Sequence, residues 1–472
     1  MGAVGITILP QALDWLQLVE YELLLFAAFW FVLSAIDEFA VDLLFVWLKL
    51  TRRAGVIRLA RGAETRPLAG GVAVLVPAWH EDAVIGEMIA HTLKAWPQRE
   101  LRLYVGCYCN DPATLTAAMA GARDDTRVRL IVNENPGPTT KADCLNRLYA
   151  AVCADEARSG KACASVILHD AEDMVHPAAL AAMAQALTEV DFVQIPVRPE
   201  PQPQSPWVAG HYSDEFTESH AKAMVVRDAI GAAIPAAGVG CGFSRDTLSQ
   251  LARLRMYDGG VGPFATECLT EDYELGVLVY RNGGKSRFLR LRDADGDLVA
   301  TRAYFPSELD FAIRQKARWI HGIALQGWDR LGWSKRPVDM WMALRDRHGP
   351  LTSAVLAAAY LLLAVELVLG AARLAGWVSN EPVGPLLRVL ISISFFAFIW
   401  RAIWRFGFTA HEYGLVEGLR AVLRIPVANM VAILAGQRAL RAYIRTLRGE
   451  LVQWDKTHHA AHPAAAMPRP AR

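Results

Sequence analysis

The first 48 residues contain no lysine or arginine. A secretory signal peptide carries positive charge ahead of its apolar core, so this stretch does not read as one. An excess of one charge is also lacking: 49 Lys and Arg face 48 Asp and Glu, a formal net charge of +1. No bulk field therefore favours nucleic acid. The seven cysteines have no framework spacing, Cys107 and Cys109 being the single close pair. They read as small apolar fillers in a reducing compartment rather than a disulfide or zinc scaffold. Internal repeats, a G-x-G-x-x-G fingerprint and a Walker pattern are missing too, which argues against a solenoid, a Rossmann dinucleotide site and a P-loop.

Hydrophobic residues make up 53% of the chain, and the excess sits at its two ends. Residues 21–48 form a first apolar run, interrupted by Asp37, Glu38 and Asp42. Those carboxylates are expected near the end of the span or against protein rather than lipid. Lys49, Arg52, Arg53, Arg58 and Arg61 follow in quick succession, so residues 1–50 are expected to cross with the N-terminus outside and residues 51–350 in the cytoplasm. Residues 351–374 hold one carboxylate, Glu366, and are long enough to span a bilayer; residues 384–400 form the next crossing, within a membrane segment expected over 351–410. The linker 375–383 has no basic residue, whereas Arg401 and Arg405 follow the second crossing, a pattern that returns the chain to the cytoplasm. Residues 413–434 are apolar but broken by Glu417, Arg420, Arg424 and Pro426. The second half reads as an interfacial helix, with a fourth crossing as the competing reading. Residues 411–458 are therefore assigned to that helix and a following loop. The Ala-, Pro- and His-rich stretch 459–472 is expected to be disordered.

Between the apolar ends the pattern alternates. Residues 72–76, 101–105, 128–132, 166–168 and 192–195 are strand candidates, separated by helical patterns such as 84–95, 141–153 and 178–187. This predicts an α/β domain on a doubly wound, mostly parallel sheet. Ligands of such sheets bind beyond the carboxyl ends of the strands. Pro77, Asn110, Asp111, Asn133 and Asp170 each follow a strand candidate.

Chemistry-bearing strings lie at those ends. Asp170-Ala171-Glu172-Asp173 offers hard oxygen ligands suited to Mg²⁺ or Mn²⁺; an acidic turn or helix cap is the plain alternative. Thr270-Glu271-Asp272 precedes an apolar helical stretch, so Asp272 is either a general base or part of a helix start. Gln315, Arg318 and Trp319 fall on neighbouring helix faces. Arg318 would pair with a diphosphate and Trp319 would stack on a sugar, the alternative being a basic juxtamembrane helix. Lys141 opens a helix and marks an anion site. The glycine-dense stretch 236–243 reads as a loop that lets substrate approach the backbone.

Taken in order, Asp, Asp-x-Asp-like, Thr-Glu-Asp and Gln-x-x-Arg-Trp strings over residues 75–319 resemble the family 2 glycosyltransferases of GT-A fold, in the membrane branch with cellulose and hyaluronan synthases. The strings HDAEDMVHP at 169–177, GPTTKADCLN at 137–146 and WDKTHH at 454–459 look most like the bacteriophage adsorption protein B family. By that resemblance Pro77, Trp79, Glu81 and Asp111 frame the nucleobase and ribose, with Lys141 on the nucleotide side. Asp170 and Glu172, or Asp173 in its place, hold the metal and diphosphate. Asp272 is the base, Glu271 beside it contacts substrate, and Gln315, Arg318 and Trp319 line the acceptor and phosphate site. Two departures stand out: Glu172 replaces the usual second Asp, and His80 stands where Asn or Gln is usual. Trp454 and Thr457 are in register with a gating loop of the synthases, with His459 in place of Lys, which suggests a lid over the nucleotide.

The resemblance implies an inverting, metal-dependent hexosyltransferase at a bacterial inner membrane, with its catalytic domain in the cytoplasm. The donor would be a nucleotide sugar, uridine diphosphate-linked by analogy, and the acceptor a growing envelope or exopolysaccharide. Single transfer to a polyprenyl phosphate or glycolipid is the enzyme alternative, and a membrane receptor or scaffold the non-enzyme one. Expected partners are a glycan or lipid-linked acceptor, membrane lipids, an outer-membrane or periplasmic export partner and a separate cyclic-di-nucleotide regulator. Nucleic acid is not among them.

Overall fold

The computed structural model describes residues 4–379, 382–450, 459 and 461–466. Its centre is a seven-stranded sheet built on β1 (Gly71–Pro77), whose residues from Val72 onward are all buried. The other strands are β2 (Leu101–Tyr108), β3 (Val128–Asn133), β4 (Cys163–Leu168), β5 (Phe192–Gln194), β6 (Cys241–Ser244) and β7 (Ser286–Phe288). Their order is β3-β2-β1-β4-β6-β5-β7. The pairs β1–β2, β2–β3, β1–β4 and β5–β7 are parallel, while β6 runs antiparallel to β4 and β5. The expected α/β sheet is present, and its first strand fits the rule that a strand covered on both faces reads as an apolar run.

β6 corrects one expectation, because its residues come from the supposed glycine loop. Alternation of Cys241 and Phe243 is the strand signal, and Gly242 hides it by contributing no side chain to the other face. A Cβ at Gly242 would meet Leu187, Ile167 and Val193 at 3.0–3.3 Å, so that face is already filled. Phe243 stacks on Phe192 across the pair at 4.8 Å.

In chain order the helices that matter here are α1 (Val4–Leu50), α2 (Ile85–Ala95), α3 (Pro112–Ala122), α4 (Lys141–Ser159), α5 (Val208–Glu218), α6 (Glu271–Arg281) and α7 (Leu309–Trp319). They continue with α8 (Pro337–Arg347), α9 (Gly349–Leu374), α10 (Pro385–Tyr413), α11 (Leu415–Leu423) and α12 (Ile425–Leu447). α2 covers one face of the sheet through Ile85, Met88 and Ile89, and α4 the other through Leu145, Leu148 and Val152. Burying each such side chain stabilises the fold by about 1.5–3 kcal/mol. Two π-helical stretches, Ser219–Ala223 and Ile320–Gln326, extend α5 and α7.

Among the described residues three helices are long and apolar enough to cross a membrane: Gln11–Leu50 within α1, α9 and α10. A fourth is added if α11 and α12, bent by 50° at their junction, count as one span. The carboxylates in α1 face protein. Asp42 lies 2.7 Å from the Lys222 ammonium and accepts from the Trp400 indole at 2.7 Å. Asp37 accepts from Trp341, and Glu38 pairs with Arg345 at 2.9 Å. α12 lies on α7 through Ala317, Ala435 and Ala439, small residues that let two helix backbones approach closely. Arg424, at the bend, forms a fully buried pair with Asp214 of α5 at 2.8 Å.

Candidate active site

Pro77 ends β1, and the chain then turns sharply, with His80 in the left-handed region at φ 52°. Asp111 explains that turn. As N-cap of α3 it accepts from the Thr114 amide at 3.3 Å and from the His80 amide at 2.7 Å. Burial opposes its charge, yet the bonds from Thr114 and His80 hold its carboxyl below the usual range. Asp111 is thus consumed by the backbone and does not line the cavity, a correction to its expected place against the nucleobase. Trp79 does line it, packed edge-on to Tyr108 at 4.9 Å.

Lys141 opens α4, capped by Thr140, whose hydroxyl accepts from the Asp143 amide at 3.2 Å. Its ammonium lies 2.5 Å from Asp170 Oδ1, just beyond β4. Asp173 points elsewhere: Oδ2 accepts from the Asp170 amide at 2.9 Å and meets His169 Nδ1 at 2.8 Å. Those bonds shape the loop, so Asp173 serves its backbone and Glu172 is the better placed partner of Asp170. The reason is local: an Asp three residues on reaches its own loop amide, which a Glu at 172 does not do here.

Asp272 sits in the first turn of α6, one oxygen accepting from its Tyr273 neighbour's amide at 2.8 Å. Gly238, at φ +76°, lies directly against Asp272, where a Cβ would overlap Oδ2. The glycine lets the loop close on the carboxylate. Gln194 holds that loop, accepting from the Ala237 amide at 2.8 Å and donating to the Val239 carbonyl at 2.9 Å. A second tie comes from the membrane side: the Tyr273 hydroxyl donates to Asp346 of α8 at 2.7 Å, and Asp346 pairs with Arg227 at 2.8 Å. Neither Gln194 nor Asp346 carries a sequence signal, since each is a lone polar residue in an unremarkable context.

These elements enclose a cavity of about 420 Å³ lined by Pro77, Trp79, Glu81, Lys141, Asp170, Glu172, Asp173, Glu271, Asp272, Gln315, Arg318 and Trp319. Gln315 turns a buried, unbonded Oε1 toward it. Trp319 meets Tyr212 and Phe216 at 6.1 Å each, so one end of the cavity is aromatic and the other acidic. Trp454 and Thr457 lie outside the described residues. His459 does not: its Nδ1 is 3.0 Å from Glu81 and its Nε2 is 3.2 Å from Glu172. Part of the stretch expected to be disordered is ordered, with Pro463–Ala466 a short 3₁₀ helix and His462 buried.

Charge crowding marks the site. Burial pushes Glu271 up to about 8, reinforced by Asp272 and opposed by Lys141. Burial also raises Glu172 to about 8, against the pull of His459. Asp272 is raised by burial, with Lys141 opposing. Burial alone would lower Lys141, but Asp170, Glu271 and Asp272 hold its ammonium well above the ordinary range. Glu81, Glu172 and His459 each present an atom within 4.8 Å of the others. Two carboxylates and an imidazole form a donor set that fits Mn²⁺ or a similar divalent ion.

A family profile described as "Glycosyltransferase like family 2" matches residues 69–322. The bacteriophage adsorption protein B of Escherichia coli (strain K12) is 31% identical over 453 residues, 90% of this chain and 60% of that protein. The bacteriophage N4 adsorption protein B of Escherichia coli O157:H7 matches at the same identity and coverage, so the chain spans about 60% of the length of these relatives. A mannosyltransferase from Pyrobaculum calidifontis, solved with GDP-Man and Mn²⁺, aligns at TM-score 0.49 and 17% identity over 83% of this chain and 98% of that one. Glucosyl-3-phosphoglycerate synthase from Mycobacterium tuberculosis, solved with Mn²⁺, UDP and phosphoglyceric acid, aligns at TM-score 0.32 and 18% identity over 52% of this chain and 74% of that one.

Proposed function

The chain belongs to the glycosyltransferase-like family 2, and on that premise we propose that it transfers a sugar from a nucleoside diphosphate to a glycan acceptor at the cytoplasmic face of a bacterial inner membrane. The observation that carries this reading is the Lys141 ammonium, 2.5 Å from Asp170 and flanked by Glu271 and Asp272 in the cavity that Arg318 and Gln315 also line. A nucleoside diphosphate needs cations at its phosphates, and a sugar hydroxyl needs a base nearby; both are within reach of one cavity.

Asp272 is the proposed base. Burial raises its carboxyl, and a base poised nearer neutrality transfers protons more effectively. It takes the proton of the acceptor hydroxyl as that oxygen bonds to the anomeric carbon. The bond from that carbon to the diphosphate oxygen breaks, with inversion, and the diphosphate leaves carrying the electron pair. Lys141 and Arg318 neutralise it. A divalent ion held by Asp170 and Glu172 would add charge stabilisation at the leaving group. Trp79 gives the nucleobase an apolar face, and Trp319 with Phe216 gives the acceptor ring an aromatic one.

Asp272→Asn tests the assignment. Transfer from uridine diphosphate sugars by purified protein is expected to fall by about 10²–10⁴-fold, with nucleotide binding kept within about threefold. Undiminished transfer would remove Asp272 from the role. Product length on labelled donor separates extension of a polysaccharide from addition of one sugar to a lipid.

A further inference from the structure

Residues 459–466 are the part of the chain whose order is least expected, and their contacts converge on one loop. His462 is 2% exposed. Its Nε2 lies 3.0 Å from the main-chain carbonyl of Asp173, and its Nδ1 accepts from the Ala464 amide at 3.1 Å. That second bond fixes the tautomer: Nδ1 is an acceptor, so Nε2 carries the proton and donates to Asp173. The buried ring of Pro463 starts the 3₁₀ turn that follows. On the other side of the segment lies α2, where His91 sits 6.4 Å from the His462 ring and holds the Val175 carbonyl at 2.9 Å.

Three residues upstream, His459 bridges Glu81 and Glu172 at 3.0 and 3.2 Å. The carbonyl that His462 holds belongs to the residue after Glu172. The same loop is therefore gripped twice, by its main chain at Asp173 and by its side chain at Glu172, from two histidines on one short segment. Three residues span at most about 10 Å, so fixing His462 leaves His459 little freedom along the loop. An imidazole tethered only through a flexible chain would lose several rotatable bonds on reaching two carboxylates, and anchoring removes part of that entropic cost in advance.

We propose that His462 is a positioning residue of the donor site: by clamping the Asp173 carbonyl it sets both the loop that presents Asp170 and Glu172 and the reach of His459 between Glu81 and Glu172. The inference rests on the transferase reading for its consequence but not for its geometry. It separates the two histidines by role. His459 faces the cavity, whereas His462 touches no substrate and acts through its neighbours.

The test uses the full chain in detergent, with two readouts: hydrogen exchange of the amides of residues 461–466, and binding of uridine diphosphate with Mn²⁺. Losing a buried hydrogen bond of this kind is expected to speed exchange and weaken nucleotide binding by about tenfold in His462→Ala. His462→Gln, which can keep an amide N–H near the Nε2 position, is expected to recover most of both. Adding His462→Ala to His459→Ala is expected to cost far less than in the wild-type background, because the two act as a unit. Unchanged exchange in His462→Ala, unchanged nucleotide affinity, or fully additive losses would each overturn the proposal. Failure of the wild type to bind any nucleoside diphosphate would count instead against the transferase reading, with the exchange arm still deciding whether His462 clamps the loop.

Discussion

Glu271 should make the protein less stable than it needs to be, in a way that depends on pH. Its carboxyl is buried at the start of α6, its Oε1 has no hydrogen-bond partner, and burial with Asp272 beside it pushes the group from 4.5 up to about 8. Between those two values the unfolded chain has released the proton and the folded chain still holds it. Stability therefore falls as pH rises through that window, by up to about 1.4 kcal/mol per pH unit. Glu271→Gln removes the titration while keeping the shape. At pH 5 the variant and the wild type should be nearly equally stable. At pH 8 the variant should be the more stable, by about 1–3 kcal/mol once the response of the surroundings is allowed for. For a domain of this size that is about 2–10 °C in midpoint. Thermal unfolding followed by tryptophan fluorescence, in detergent with a chelator, at pH 5, 6.5 and 8 would measure it. A difference between variant and wild type that stays flat or shrinks with rising pH would refute the reasoning. The same variant should lose transferase activity, which would account for a destabilising carboxylate being kept at a working site.

Gly238→Ala should place a methyl against Asp272 and strain a backbone at φ +76°; a displaced base should lower turnover by about 10²-fold with the fold retained by circular dichroism. Lys222→Ala should leave Asp42, 1% exposed, without its cation, lowering stability by about 3 kcal/mol, and the second change Asp42→Asn should recover part of it. Arg318→Lys should not restore what Arg318→Ala loses in donor binding if a planar fork is what the diphosphate meets, which a titration with uridine diphosphate would show.

The sheet was legible because β1 to β4 are buried on both faces and read as apolar runs with polar residues at their ends. β6 was not, because two of its four residues and those before it include glycines that carry no pattern. In the site, Lys141, Asp170, Glu271, Asp272, Gln315, Arg318 and Trp319 come to one cavity from strings more than a hundred residues apart, as the topology of a parallel sheet requires. Asp111 and Asp173 were misjudged for a common reason. An aspartate's short side chain bonds its own turn as readily as a ligand, and composition cannot say which. His459 and His462 were hidden by their surroundings, since a run rich in Ala and Pro gives no sign that two of its histidines are gripped by a loop nearly three hundred positions earlier.

The π-helical stretch Ile320–Gln326 has a bearing on length variation. Each widened turn houses a residue that an α-helix would not hold, so removing one residue there would let the helix rewind to 3.6 residues per turn and rotate everything after it by about 100°. Arg330, which grips Glu274 of α6 at 2.7 Å, would swing off its partner, and with it the segment leading to α8 and the bilayer. Point substitutions along Ile320–Gln326 should therefore be better tolerated than a single-residue deletion, and natural relatives should keep its residue count even where its letters differ.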